Sequence, residues 1–153
     1  MKLTDILVRD ACLPDMKART KKETLRELSD ALASTVDGLD AAALLNMLLE
    51  REQLGTTAMG DGIAIPHARM ESLDRLVASF GRSRQGVDFD AIDGKRSHLF
   101  FVLVAPGKEG SAHLLTLAHI SRLMIADDFR ERLLDLESTD ELFRAFEEEE
   151  SNE

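Results

Sequence analysis

The chain has 153 residues, 31% of them charged and 44% apolar, with 29 acidic against 19 basic side chains and a net charge of −10. That size and mixture suit one globular domain with its own core, and an acidic balance with no basic cluster to reverse it excludes nucleic-acid binding through phosphate contacts. A lone cysteine, Cys12, excludes an internal disulfide framework and is assigned to packing. No apolar run reaches membrane-span length and MKLTDILVRD lacks the features of a signal peptide, so a cytoplasmic location is expected.

In chain order, residues 3–13 mix Leu3, Ile6, Leu7, Val8 and Leu13 with charges, predicting a short helical turn and then an edge strand that stops near Pro14. Thr20 and Glu23 have capping-box spacing, and Leu25, Leu28, Leu32 and Val36 recur at helical intervals until Asp37-Gly38. Asp40 caps a second predicted helix with the apolar stripe Ala41, Leu44, Leu45, Leu48 and Leu49. Arg51 lies in its last turn and Gly55 just beyond it. Gly55, Gly60 and Gly62 bracket a stretch without periodicity, where the backbone is free to take positive φ and approach a ligand, which predicts a loop. Ile63 to Ile65 resume as a short strand, and Pro66 ends it, holding His67 at a strand end.

Leu76 to Phe80 predicts a strand and Val87 to Ile92 another, with Val87, Phe89 and Ala91 on one face. Asp93-Gly94 predicts a tight turn into SHLFFVLVAP, a partner strand buried on both faces and closed by Pro106 and Gly107. From Ala112, AHLLTLAHISRLMIA predicts a helix; Asp127-Asp128 and the Ser138 to Glu141 capping box begin two more. EEEESNE predicts a solvated, frayed end. The expected fold is α/β, a single domain with a mixed β-sheet flanked by helices on both faces, with residues 1–147 as the domain and 148–153 as an acidic tail.

Chemistry-bearing residues gather between Arg51 and Arg69, REQLGTTAMGDGIAIPHAR. A rigidly placed His67 can act as nucleophile or ligand, with one ring nitrogen free and the other fixed by a hydrogen bond, or it can be a structural histidine. Arg51 either complements the helix dipole, worth a few tenths to about 1 kcal/mol, or faces His67 across a folded-back loop and neutralises a dianionic group there. His113 opens its helix on the face of Leu117, Ile120 and Met124, toward the body of the domain. His119, six residues later, cannot share a metal with it as an i, i+4 pair can, so no metal site is expected. His98 reads as a surface or edge histidine. Neither GTTAMGDG nor APGKEGS ends in the Gly-Lys-Ser/Thr of a nucleotide-binding loop.

The stretch from Glu50 to Arg69, ERE-x-LG-T-T-x-x-G-x-GIAIPHAR, closely resembles the active-site signature of enzyme IIA domains of the mannitol/fructose type in the bacterial phosphotransferase system (PTS). The likeness extends to VDFDAIDGK, to the apolar strand after it and to the HLLTLAHISRL helix, in the family's order over most of the chain. It implies the enzyme IIA fold and a phosphotransferase that needs no cofactor. His67 would take a phosphoryl group through Nε2 from the phosphocarrier HPr or its nitrogen-branch paralogue, with Nδ1–H held by a backbone carbonyl. Arg51 and the backbone of the glycine-rich loop would stabilise the phosphoryl oxygens, with Gly55, Thr56 and Thr57 as phosphate-binding positions and the threonines adding hydroxyl donors. His113 matches the family's helix histidine beside the phosphorylated one. Some nitrogen-branch members carry a histidine two positions later, where this chain has Leu115. Sugar-transporting members work with IIB and IIC domains, whereas a chain of this length without a membrane segment is more similar to the nitrogen-regulatory branch. Members of that branch regulate targets such as sensor kinases or potassium transporters. A stand-alone subunit serving a fructose or mannitol IIB is the alternative, and a phosphorylation-dependent binding module without onward transfer is an alternative of another class.

Overall fold

The computed structural model describes residues 2–107 and 112–152. Its centre is the strand that the sequence makes most apolar. Three helices, α1 (Leu3–Ile6), α2 (Lys21–Thr35) and α3 (Ala41–Gln53), precede strands β1 (Ala58–Gly60), β2 (Ile63–Ala64), β3 (His67–Met70), β4 (Val77–Val87) and β5 (Ser97–Pro106). Helices α4 (Ala112–Leu123), α5 (Asp127–Leu134) and α6 (Thr139–Ser151) follow.

β5 is paired on both edges. On one side it runs antiparallel to β4, with Phe80 opposite Phe101, and on the other it runs parallel to both β2 and β3. The partners Ile63↔Leu99 and His67↔Leu103 keep one register, so β2 and β3 are a single strand interrupted at Ile65-Pro66. Pro66 has no N–H to give the ladder, yet its carbonyl still accepts from Leu103 N at 3.0 Å. His67, expected at the end of the strand before Pro66, instead begins β3, with its backbone fixed by the sheet.

Alternation along β5 builds two cores. Leu99, Phe101, Leu103 and Ala105 face a layer made by α1, α4, α5 and α6, while Phe100, Val102 and Val104 face α2 and α3. The predicted mixed sheet with helices on both faces is the observed architecture. Helix starts follow their caps: Thr20 Oγ1 accepts from Glu23 N at 3.2 Å, Asp40 Oδ2 from Ala43 N at 2.8 Å and Ser138 Oγ from Glu141 N at 3.2 Å. Each such cap is worth about 1 kcal/mol.

Four expectations change. The edge strand before Pro14 is reduced to isolated bridges, Leu7 to Ala78 and Leu13 to Gly81, around a turn of 3-10 helix at Arg9–Ala11. The strand at Leu76 to Phe80 continues to Val87, so that of the strand expected over Val87 to Ile92 only Val87 is in β4 and Asp88 to Ile92 is a loop in which Asp90 takes a φ of 59°. The extension depends on Gly81, where a Cβ would collide with Met16 and Leu28, and on Arg82, whose buried guanidinium donates to the carbonyls of Leu133 and Leu134. The glycine-rich stretch is partly a hairpin: β1 and β2 pair across Asp61-Gly62, both at positive φ, and Asp93 Oδ2 accepts from Asp61 N. Finally, the residues expected to form a frayed acidic end are helical through Ser151. Glu150 is buried, accepting from Leu3 N at 2.6 Å and lying 2.8 Å from His119 Nε2.

Candidate active site

A cleft of about 580 Å³ opens between the C-terminal end of α3, the start of β3 and the first turn of α4. It is lined by Met47, Arg51 and Leu54 from α3 and its end, by His67 and Arg69 from β3, and by His113 from α4. Three of the residues singled out in the sequence thus meet in one place.

His67 is half-buried and held at both ring nitrogens. Nδ1 lies 2.9 Å from the carbonyl oxygen of Ile65, and Arg51 Nε donates to Nε2 at 3.3 Å. A carbonyl only accepts and a guanidinium only donates, so the partners select one tautomer: Nδ1 carries the proton and Nε2 presents its lone pair. The ring is neutral for the same reason. Burial lowers its pKa from the ordinary value of 6.5, and the nearby Arg51 charge adds to that, against opposing contributions from the Ile65 hydrogen bond and Glu52. The imidazole is therefore preset as a nucleophile whose reactive nitrogen points at a cation.

Arg51 reaches His67 because α3 ends beneath it. Its Nη1 donates to the carbonyl of Gly55 at 3.0 Å, and Gly55 takes a φ of 148°, a conformation that side-chain-bearing residues rarely adopt. The helix-dipole account of Arg51 is thereby incomplete, since the guanidinium is aimed by two hydrogen bonds into the cleft. His113 sits with its ring centroid 6.5 Å from that of His67. Its Nδ1 is buried and has no hydrogen-bond partner among the described residues. Its pKa too is lowered, by burial first, then by the charge of Arg69 and by the repulsion that would arise if both it and His67 were protonated.

The threonine hydroxyls do not face the cleft, contrary to expectation. Thr56 Oγ1 donates to the carbonyl of Phe89 at 2.6 Å, and Thr57 Oγ1 donates to the Glu52 carboxylate. Both side chains fix the loop that carries Gly55. Gly55 contributes its carbonyl to Arg51, which is a positioning contact. Arg69 was not singled out by the sequence reading. Strand periodicity would have found it, because two residues along β3 from His67 returns to the same side.

Of the other groups, His98 is half-buried and places Nδ1 2.8 Å from the Ser83 carbonyl, with its ring over Gly86. Cys12 is buried, and burial pushes its thiol up to about 11, which leaves it protonated and suited to packing. Among the described residues no cluster of His, Cys, Asp or Glu could hold a metal ion, and no helix is long and apolar enough to cross a membrane.

The two depressed pKa values have a measurable consequence. Between each native midpoint and the unfolded value near 6.5, the unfolded chain binds more protons than the native one. Both groups therefore cost stability as pH falls from 6.5 through the native midpoints, and contribute no pH dependence well above 6.5. NMR titration of the ring protons is expected to place both midpoints below 6.5; a midpoint at or above it would contradict the burial and tautomer described.

The chain and its helix-covered mixed sheet have counterparts among known proteins. The chain belongs to the family described as phosphoenolpyruvate-dependent sugar phosphotransferase system, EIIA 2, whose profile matches residues 6–149. It is similar to a nitrogen regulatory protein of Bradyrhizobium diazoefficiens, 40% identical over 133 residues covering 87% of this chain and 86% of that one. A PTS fructose-specific EIIA component of Haloferax volcanii is 42% identical over 121 residues, covering 78% of this chain and 77% of that one. The crystal structure of nitrogen regulatory protein IIA-Ntr from Neisseria meningitidis superposes with a TM-score of 0.87 at 31% identity, covering 94% of this chain and 98% of that chain. Membership places the protein in a phosphotransferase family.

Proposed function

We propose that His67 is a phosphoryl acceptor, charged by phosphorylated HPr or its nitrogen-branch paralogue, and that its phosphorylation state governs binding to regulatory targets in the cytoplasm. The observation that carries this reading is the Nε2 lone pair of His67, fixed by Ile65 behind the ring and facing Arg51 in an open cleft. In the transfer, Nε2 attacks phosphorus in line, the donor's N–P bond breaks and its electron pair returns to the donor ring, and a new N–P bond forms on His67. The proton stays on Nδ1, which donates it to the carbonyl of Ile65 throughout. No cofactor enters the step.

Phosphoryl transfer rewards alignment and neutralisation of the equatorial oxygens. Arg51 supplies the charge, its Nε passing from the lone pair to a phosphoryl oxygen once Nε2 is occupied. His113, neutral and 6.5 Å away between ring centroids, borders the space the phosphoryl group would fill and is suited to donate one hydrogen bond to it. Regulatory targets of the kind expected are sensor kinases or potassium transporters. The regulatory reading is supported by likeness to nitrogen regulatory proteins of Bradyrhizobium diazoefficiens and Pseudomonas aeruginosa and to the Neisseria meningitidis structure. A second reading, onward transfer to a fructose or mannitol IIB, is favoured by the Haloferax volcanii likeness.

Two assays test these statements. Arg51→Met is expected to slow phosphoryl transfer from phosphorylated HPr by on the order of a hundredfold, the cost of losing one aimed donor, while leaving the fold intact; an unchanged rate would return Arg51 to a helix-end role. Incubating the phosphorylated protein with fructose and mannitol IIB domains is expected to leave the phosphoryl group in place, and transfer to either would refute the regulatory reading.

A further inference from the structure

Glu52 is a buried carboxylate one residue from Arg51 that takes no part in the chemistry above. Successive helix positions are turned by about 100°, so while Arg51 faces the cleft, Glu52 turns into the protein, its side chain 4% exposed. Oε1 accepts from Thr57 N at 3.1 Å and pairs with Lys21 Nζ at 3.0 Å, and Oε2 accepts from Thr57 Oγ1. Lys21, the first residue of α2, also pairs with Asp90 at 3.2 Å and lies over the Phe89 ring, 4.8 Å from its centroid. A buried ion pair is weak evidence for stability, because apolar replacements are often as stable. What this one does hold is geometry.

Thr57 is the junction. Through residues 55–57 it sets the carbonyl of Gly55, which accepts from Arg51 Nη1. Through its own carbonyl it accepts from Ile65 N at 3.1 Å, and the carbonyl of Ile65 holds His67 Nδ1 at 2.9 Å. Both members of the reacting pair are thus referred to one residue, and Glu52 fixes that residue by its amide and its hydroxyl. Thr56, bonded to the carbonyl of Phe89, braces the same loop from the other side.

We propose that Glu52, neutralised by Lys21, is the positioning residue that sets Arg51 and His67 against each other through Thr57, without touching the phosphoryl group. The proposal rests on the phosphoryl-acceptor reading of His67, and its test separates the two. Glu52→Gln keeps the side-chain shape; Thr57→Val, which removes only the hydroxyl donor, serves as the second variant. Each is expected to slow single-turnover transfer from phosphorylated HPr by on the order of tenfold to a hundredfold. Adding Glu52→Gln to Arg51→Met is expected to cost much less than it does in the parent protein, since the two act through one contact. Equal costs in both backgrounds, or parent-like rates in both single variants, would overturn the proposal.

A second readout needs no phosphoryl donor. Solvent exchange of the Arg51 Nε–H, followed by NMR, is expected to be at least about tenfold faster in both variants, as the hydrogen bond to His67 loosens; unchanged exchange overturns the proposal. If the parent protein accepts no phosphoryl group, the acceptor reading fails while this exchange measurement still decides the role of Glu52.

Discussion

His67→Ala is expected to accept no acid-labile phosphoryl group from phosphorylated HPr, under conditions that label the parent protein once per chain. The loss should be complete because the substitution removes a nitrogen whose lone pair faces the cleft and is fixed in direction. His113 is not expected to substitute for it. Its Nδ1 is buried and unpartnered among the described residues, and no contact found there orients its ring as Ile65 and Arg51 orient His67. The fold should survive, since His67 is half-buried at the cleft and its strand is held to β5 by the backbone. Labelling that persists in a folded His67→Ala protein would sink the site assignment.

The largest stability effect is expected at Phe101. Its ring is fully buried on β5 and packs edge-on to Phe80 at 5.1 Å and to Phe146 at 5.6 Å between centroids, with Phe129 meeting Phe146 at 5.2 Å. Phe101→Ala removes a ring that packs on both Phe80 of β4 and Phe146 of α6, and should cost about 3–5 kcal/mol from lost burial plus the cavity left behind. Domains of this kind have about 5–15 kcal/mol in total. Urea denaturation checks it: a midpoint lowered in proportion is expected, and a loss below about 1 kcal/mol would mean that the cluster does not bind the two layers together.

The features legible in the sequence were those whose cause is local. Thr20, Asp40 and Ser138 announce helices because each oxygen meets an amide within three residues, and SHLFFVLVAP announces a buried strand because both its faces are apolar. His67, Arg51 and His113 could be grouped by family resemblance, and the cleft brings them together. What the sequence concealed depends on distant partners. Gly81-Arg82 looks like a break in a strand until Met16, Leu28 and the end of α5 are in place to receive it. Glu150 looks solvated until Leu3 and His119 arrive from far along the chain. The threonine hydroxyls were expected to face the cleft because residue type tells what a group can donate, while direction was set by Glu52 and by the carbonyl of Phe89. The Asp61-Gly62 hairpin carries the same local turn signal as Asp93-Gly94, yet the stretch reads as a loop because its glycines hide the short strands on either side.

The most direct measurement is to locate the phosphoryl group in the parent protein. After labelling with phosphorylated HPr, phosphorus–nitrogen correlation in protein with 15N-labelled histidine should show one phosphoryl group bonded to Nε2 of His67, with Nδ1 still protonated. A phosphoryl group on Nδ1 of His67, on His113 or on any other residue would contradict the tautomer, the direction of Arg51 and the acceptor role together.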